Sequence, residues 1–89
     1  MIRQELRIVN RLGLHARAAA KFVRCASVFD STVQVERNGS RVNGKSIMGV
    51  MMLAASQGTS ITIEVEGEDE APAVAALAAL VADRFEEPE

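Results

Sequence analysis

Three stretches of the chain alternate between apolar and polar residues, a period of two that predicts half-buried β-strands. In the first stretch, Ile2, Leu6 and Ile8 alternate with charged residues. The second stretch covers Thr32–Arg37, and the third covers Ser60–Glu66. Since each stretch is apolar on one side only, we expect a sheet with one buried face and one exposed face.

A turn signal adds a fourth strand to these three. Asn38 and Gly39 follow the second alternating stretch directly, and Asn-Gly is the strongest short signal for a two-residue hairpin turn. We therefore predict a short strand over Ser40–Val42 that pairs with the strand before it.

Helical spacing accounts for most of the remaining chain. The first apolar stripe begins at Ala16, with Arg17, Lys21 and Arg24 on the opposite side, as expected of an amphipathic helix. Its predicted inner face consists of Ala16, Ala19, Ala20, Val23 and Ala26, with Phe22 nearby.

Two further helices are predicted after the hairpin. A short one runs from Ile47 to about Ala54, with Ser46 in the capping position and Val50 and Leu53 toward the core. Acidic residues over 68–70 and a tolerated proline mark the start of the last helix. Its stripe consists of Val74, Leu77, Ala78, Val81 and Phe85, and we expect residues 86–89 to fray.

The predicted order of elements is β-α-β-β-α-β-α over a single domain, residues 1–89. Because the strands are one-sided, an antiparallel sheet with the helices on one face buries the apolar residues best. The fold class is therefore α+β. A chain of this length buries roughly 60–65% of its unfolded surface. Since it has three Phe and neither Trp nor Tyr, we expect a core of Ala, Val, Ile, Leu and Met.

Composition narrows the classes of function. The net charge of −2 is unlike that of a general nucleic-acid binder, and an RNA-binding sheet would carry exposed aromatic residues for base stacking. The single Cys25 excludes an internal disulfide, which fits a reducing compartment. No leader pattern and no apolar run of about 20 residues is present. We therefore expect a cytoplasmic protein without membrane insertion.

Charge is distributed unevenly along the chain. Basic residues dominate between Arg3 and Lys45, whereas Arg84 is the only base between Glu64 and Glu89. This asymmetry predicts a basic side and an acidic tail.

The only histidine has the clearest chemical potential. His15 lies between the end of a predicted strand and the start of a predicted helix, two residues before Arg17. Free N–H groups and a positive partial charge make a helix start a good phosphate site. A neutral imidazole is also a nucleophile at physiological pH. The local chemistry suggests transient phosphoryl transfer at His15, although a polar loop residue or a simple helix cap would show the same pattern.

Two motifs resemble those of the HPr family, the histidine-containing phosphocarriers of the bacterial sugar phosphotransferase system. The first is Gly-Leu-His-Ala-Arg at residues 13–17. The second is Asn-Gly-Lys-Ser-Ile-Met-Gly-Val-Met at residues 43–51, which is similar to the family's regulatory serine segment. Their combination within the predicted order of elements extends the resemblance over nearly the whole chain.

The resemblance implies an open-faced β-sandwich, with a four-stranded antiparallel sheet in the order 1-4-2-3 and three helices on one face. It also implies that His15 accepts a phosphoryl group on Nδ1 from phosphorylated enzyme I and passes it to an A-type enzyme II component. Arg17 would help to hold the phosphoryl group. Ser46 would be phosphorylated by HPr kinase/phosphorylase. The chain would then be a phosphoryl carrier rather than an independent enzyme.

One residue departs from the family's pattern. Pro usually follows the arginine, whereas this chain has Ala18. Pro is favoured in the first turn of a helix because its missing N–H has no intrahelical partner there. Ala preserves the helix and supplies an additional N–H, so the presentation of His15 is the property that this difference affects.

Docking surfaces are predicted beside both motifs. Lys21 and Arg24 continue the face of Arg17, where they serve either acidic partners or solubility. Ile47, Met48 and Met51 belong to a helix too short to bury all of its large apolar residues, and Met suits a surface that binds several partners. For Ile47, a partly buried position is the alternative.

Other functions remain open at this stage. The nearest alternative is a regulatory HPr relative in an incomplete phosphotransferase system, acting through phosphorylation-dependent binding. A hydrolase with His15 as base lacks a second convergent nucleophile. A generic α/β interaction domain such as an RNA-binding module would need exposed aromatic residues, whereas this chain has no Tyr or Trp and its three Phe lie in helix-like contexts. We expect a monomer with no metal and no cofactor, since one Cys and one His form no ligand cluster and no phosphate-binding Walker loop is present.

Overall fold

A computed structural model covers all 89 residues and confirms the predicted order of elements. The helices and strands are β1 (Ile2–Arg7), α1 (Ala16–Ser27), β2 (Thr32–Arg37), β3 (Ser40–Asn43), α2 (Ile47–Met52), β4 (Ser60–Glu66), α3 (Glu70–Ala82) and a 3₁₀ turn (Arg84–Glu86). The structure contains no helix that could span a bilayer.

The four strands form one antiparallel sheet in the order β1-β4-β2-β3, as the family resemblance implied. Val65 of β4 pairs with Ile2 on one side and Val33 on the other, so the inward residues of three strands lie in register. The hairpin turn forms as predicted, with positive φ angles of 51° at Asn38 and 83° at Gly39. The architecture is an open-faced α+β sandwich.

The core is one cluster of 20 buried hydrophobic residues between the sheet and the helices. Phe22 and Phe85 are among its largest members, each 0% exposed. The expectation that Met contributes to this core is wrong, because Met1, Met48, Met51 and Met52 are all exposed. The two Phe rings instead fill the space that aliphatic side chains leave, since each ring buries a large apolar area.

The inner face of α1 differs from the prediction. Its buried residues are Ala18, Ala19, Phe22 and Ala26, whereas Ala16 is exposed and Ala20 and Val23 are only half-buried. The stripe is rotated because Phe22 is the residue that enters the core, and its neighbours on the helix follow it. Ala18 is fully buried, so its small side chain lets the first turn pack tightly.

Two predicted helix ends are also corrected. The second helix ends at Met52 rather than near Ala54, which has a positive φ of 51°. The last helix ends at Ala82, and Phe85 enters the core from a left-handed turn rather than from a helical stripe. Burial of the ring favours this turn despite the cost of a left-handed conformation.

Asp69 joins the start of α3 to the loop before β2. Its carboxylate accepts hydrogen bonds from the Ser31 hydroxyl, from the Ser31 amide at 2.9 Å and from the Asp30 amide at 2.8 Å. These bonds, first of all that of the Ser31 hydroxyl, hold the pKa of Asp69 below its usual value. The carboxylate therefore stabilises the fold only while it is ionised.

We expect Asp69 to make the fold acid-sensitive. Because its folded pKa is lowered, its contribution is complete above the unfolded value of about 3.9 and is lost as pH falls through the folded pKa. An Asp69→Asn variant should therefore be less stable than the parent at pH 7, and the difference should narrow below about pH 4. Urea unfolding at several pH values measures this, with the exposed Glu68→Gln as control. A difference that stays constant with pH would contradict the assignment.

Candidate functional site

A glycine brings the loop after β1 close to the segment after α2. Gly13 has a φ of +67°, and any Cβ there would overlap the carbonyl of Ala55. The next amide, that of Leu14, donates to the same carbonyl at 2.8 Å. This close contact, together with the buried Leu14 side chain, fixes the position from which α1 begins.

His15 lies at the start of α1, as predicted, and its side chain caps the helix. Its backbone is extended, its carbonyl accepts the first helical hydrogen bond from the Ala19 amide at 2.8 Å, and its Nδ1 accepts from the Arg17 amide at 3.3 Å. The Ala18 amide precedes that first helical bond and so has no partner within the helix. The imidazole is therefore placed beside donors that a phosphoryl oxygen could use.

The other ring nitrogen of His15 contacts the end of the chain. Nε2 lies within hydrogen-bond distance of Oε2 of Glu87, and the two side chains are 29% and 13% exposed, respectively. Glu87 also accepts a hydrogen bond at 3.0 Å from Nδ2 of Asn10, which donates to the Gly13 carbonyl at 2.8 Å as well. A carboxylate thus joins the imidazole to the loop that precedes it.

Electrostatics keep this carboxylate ionised. Partial burial alone would raise the pKa of Glu87, but the hydrogen bonds from His15 and Asn10, with the nearby charge of Lys21, outweigh burial and lower it. Glu87 is therefore an acceptor at neutral pH.

The expectation that residues 86–89 fray is wrong. The Lys21 ammonium donates to the Phe85 carbonyl at 2.9 Å and lies 3.3 Å from Glu86. Arg11 binds Glu89 twice, through its amide at 3.0 Å and its guanidinium at 2.7 Å. The acidic tail predicted from the charge pattern exists, but it folds back onto the basic side of the molecule.

The tail and the His15 loop enclose a cleft. Its walls are Arg11, Leu12, His15, Ala16, Arg17, Glu87, Pro88 and Glu89. Arg17 is exposed, and no ion pair within the chain engages its guanidinium. A nucleophilic ring and an available cation therefore share one opening, which suits transfer of an anionic group.

The second predicted site lies on the neighbouring helix. Ser46 caps α2 as expected, and its Oγ accepts from the Gly49 amide at 3.1 Å. No hydrogen bond joins Ser46 to His15, although α1 and α2 pack against each other. Ile47, Met48 and Met51 are exposed to 44%, 73% and 39%, so the apolar patch beside Ser46 is present.

The two basic residues predicted to dock partners, Lys21 and Arg24, differ in exposure and in their contacts within the chain. Arg24 is exposed, whereas Lys21 is half-buried and already bonded to the tail. Sequence reasoning missed Glu87 and Asn10. No local signal could have found them, because 72 positions separate Glu87 from His15 and one glutamate in an acidic tail resembles the others.

Comparison with known proteins decides the family. Residues 2–83 match the family model described as the HPr component phosphorylation site of the phosphotransferase system. The chain belongs to the HPr family. A phosphocarrier protein HPr of Neisseria meningitidis is 56% identical over 89 residues, covering 100% of both chains.

Solved HPr structures agree with this assignment. The chain superimposes on HPr of Thermoanaerobacter tengcongensis with a TM-score of 0.95 and 45% identity, covering 100% of both chains. An HPr dimer from the same organism matches with a TM-score of 0.78 and 48% identity over 92% of this chain and 94% of that one. The chain is therefore a phosphocarrier of the phosphotransferase system with the HPr fold.

Proposed function

We propose that His15 is the phosphoryl acceptor, through Nδ1, of phosphorylated enzyme I and that it passes the group to A-type enzyme II components. The observation that carries this proposal is the ring's orientation. Nδ1 faces the start of α1, where it accepts from the Arg17 amide, and Nε2 faces Glu87. Nδ1 is thus the unprotonated nitrogen, and its lone pair attacks phosphorus once it leaves the hydrogen bond with the Arg17 amide.

The transfer step balances without loss of a proton. The Nδ1 lone pair forms a bond to phosphorus while the bond between phosphorus and the donor atom breaks. The proton on Nε2 stays in place, so the ring gains positive charge as it receives the anionic phosphoryl group. The helix-start amides and the Arg17 guanidinium then stabilise the added oxygens.

Phosphosite mapping by mass spectrometry tests this proposal. After incubation with phosphoenolpyruvate and enzyme I, the phosphoryl group is expected on His15, with ³¹P and ¹⁵N NMR locating it on Nδ1. After incubation with ATP and HPr kinase/phosphorylase, it is expected on Ser46. A phosphoryl group on Nε2, or on neither residue, would contradict the corresponding assignment.

Ser46 is the proposed regulatory residue. It is half-buried at the start of α2 and borders the exposed side chains of Ile47 and Met48. We propose that this patch, with Met51 and the basic residues Lys21 and Arg24, receives the partner proteins. Phosphorylation adds about −1.5 to −2 charges, which would place an anion where acidic partners dock.

We expect Ser46→Asp to leave the fold stable and to slow phosphoryl transfer to His15 by about tenfold, a barrier difference of about 1.4 kcal/mol. Asp remains a good cap, so the loss comes from charge at the docking surface. Stopped-flow transfer from phosphorylated enzyme I measures the rate. The matched control is Ser46→Asn, which is a neutral cap of similar shape and should react like the parent. Equal rates for the Asp and Asn variants would refute the electrostatic account.

In the alternative function, a regulatory HPr relative, Ser46 would matter more than His15. In a chain that serves mainly regulation, phosphorylation of Ser46 would control partner binding while transfer through His15 carries little flux. We propose that the protein acts in the cytoplasm, where it would meet its partners in either role. We predict a monomer, in contrast to the HPr dimer that is known from Thermoanaerobacter tengcongensis.

A further inference from the structure

We propose that Glu87 is a positioning residue for phosphoryl transfer, because its carboxylate fixes the tautomer and orientation of the His15 imidazole. This inference rests on the proposed role of His15 as acceptor. It concerns a residue outside the segment that matches the family model, which ends at residue 83.

Two hydrogen bonds select the same tautomer. A neutral imidazole has one donor and one acceptor nitrogen. The Glu87 carboxylate can only accept, so its contact with Nε2 places the proton there. The Arg17 amide can only donate, so its contact with Nδ1 requires the lone pair there. Both partners therefore favour the tautomer in which Nδ1 is the nucleophile.

A second side chain, that of Asn10, fixes the position of the Glu87 carboxylate. Nδ2 of Asn10 donates both to Glu87 at 3.0 Å and to the Gly13 carbonyl at 2.8 Å. Asn10 is fully buried, and a flipped amide would set its oxygen against two acceptors. Asn10 therefore fixes the direction from which Glu87 approaches the ring, as an outer partner orients a catalytic histidine in other sites.

A backbone turn just before Glu87 places its carboxylate beside the His15 ring. Arg84, Phe85 and Glu86 adopt consecutive positive φ angles of 59°, 53° and 65°, which turn the chain back toward α1. The buried Phe85 ring anchors this turn, and Lys21 binds its carbonyl at 2.9 Å. Arg11 binds Glu89 on the other side of Glu87, so the tail holds Glu87 in place before any partner arrives.

The same contact also assists the reaction electrostatically. As the bond between Nδ1 and phosphorus forms, the ring gains positive charge, which polarises the N–H bond at Nε2. A carboxylate at Nε2 stabilises that charge, as an acidic residue does for a catalytic imidazole in other enzymes. Glu87 therefore favours both the reactive tautomer and the phosphorylated state.

A Glu87→Gln variant tests the proposal with two readouts. The amide has the same shape but can donate as well as accept, so it can bind either tautomer. Because the Arg17 amide still favours the same tautomer in the variant, we expect ¹⁵N NMR of neutral His15 to show one dominant tautomer, protonated at Nε2, in the parent and a smaller fraction of that tautomer in the variant. We also expect transfer from phosphorylated enzyme I to be about tenfold slower, with His15 still the labelled residue.

The control is Glu86→Gln, which removes a carboxylate from the same tail at a side chain that is 64% exposed and does not contact the ring. It should retain the tautomer and the rate of the parent. A parent-like tautomer fraction in Glu87→Gln, whatever its rate, would overturn the positioning role. The NMR readout needs no partner protein, so failure of the parent to accept phosphate at His15 would count against the proposed function separately.

Discussion

A His15→Ala variant is expected to take up no phosphoryl group when it is incubated with phosphoenolpyruvate and enzyme I. His15 is the only histidine in the chain, so no second imidazole can replace it. Cys25 is a poor substitute, because burial raises the pKa of its thiol and the thiolate is the nucleophilic form. The loss should therefore be complete rather than partial.

The helix cap must be separated from the nucleophile in this experiment. Alanine removes both, since Nδ1 of His15 also accepts from the Arg17 amide. His15→Asn keeps a side-chain acceptor in the capping position but cannot form the phosphohistidine. We expect Asn to retain more stability than Ala, by about 1 kcal/mol, and to be equally unable to accept the group. Residual transfer to either variant, measured as radiolabel from phosphoenolpyruvate, would exclude His15 as the acceptor.

The second large effect is expected at Phe85. Truncation to Ala should lower the free energy of unfolding by about 3–5 kcal/mol, the range for deletion of a buried aromatic ring. The ring is 0% exposed, although it lies beyond the last α-helix in a segment whose neighbours were expected to fray. Such a loss is a large part of the 5–15 kcal/mol that stabilises a typical domain.

Urea unfolding of the Phe85→Ala protein measures this loss. The matched control is Leu12→Ala, which removes a large apolar side chain that is 65% exposed and should change stability by no more than about 0.5 kcal/mol. Similar midpoints for the two variants would show that the tail does not belong to the core. Because Phe85 anchors the turn that carries Glu87, the Phe85 variant should also show a smaller fraction of the Nε2-protonated tautomer of His15.

The alternation of apolar and polar residues predicted the strands well, because each strand has one face buried in the core and one face exposed. Thr32–Arg37 and Ser60–Glu66 have the predicted bounds, since an alternating strand can bury its apolar residues in only one way. The buried faces of the helices were harder to predict. The stripe on α1 is rotated toward Phe22, because several small Ala residues leave the direction of the helix to its largest side chain.

Two residues of the site, His15 and Ser46, could be predicted from local sequence, whereas Glu87 could not. His15 and Ser46 each occupy a capping position that neighbouring residues indicate, so the sequence was sufficient to place them. Glu87 depends on the left-handed turn at residues 84–86, and nothing in those residues indicates such a turn. Only the burial of Phe85 in the assembled core makes that conformation favourable.

The sequence by itself determined the order of the elements, the one-sided sheet, the caps at His15 and Ser46 and the family resemblance. These features depend on neighbouring residues and on periodicity, which a chain carries before it folds. The tertiary structure decided how the C-terminal tail meets the loop before α1. It folded the acidic tail onto the basic surface and placed Glu87 against Nε2 of His15, because contacts between distant residues depend on how the whole core packs.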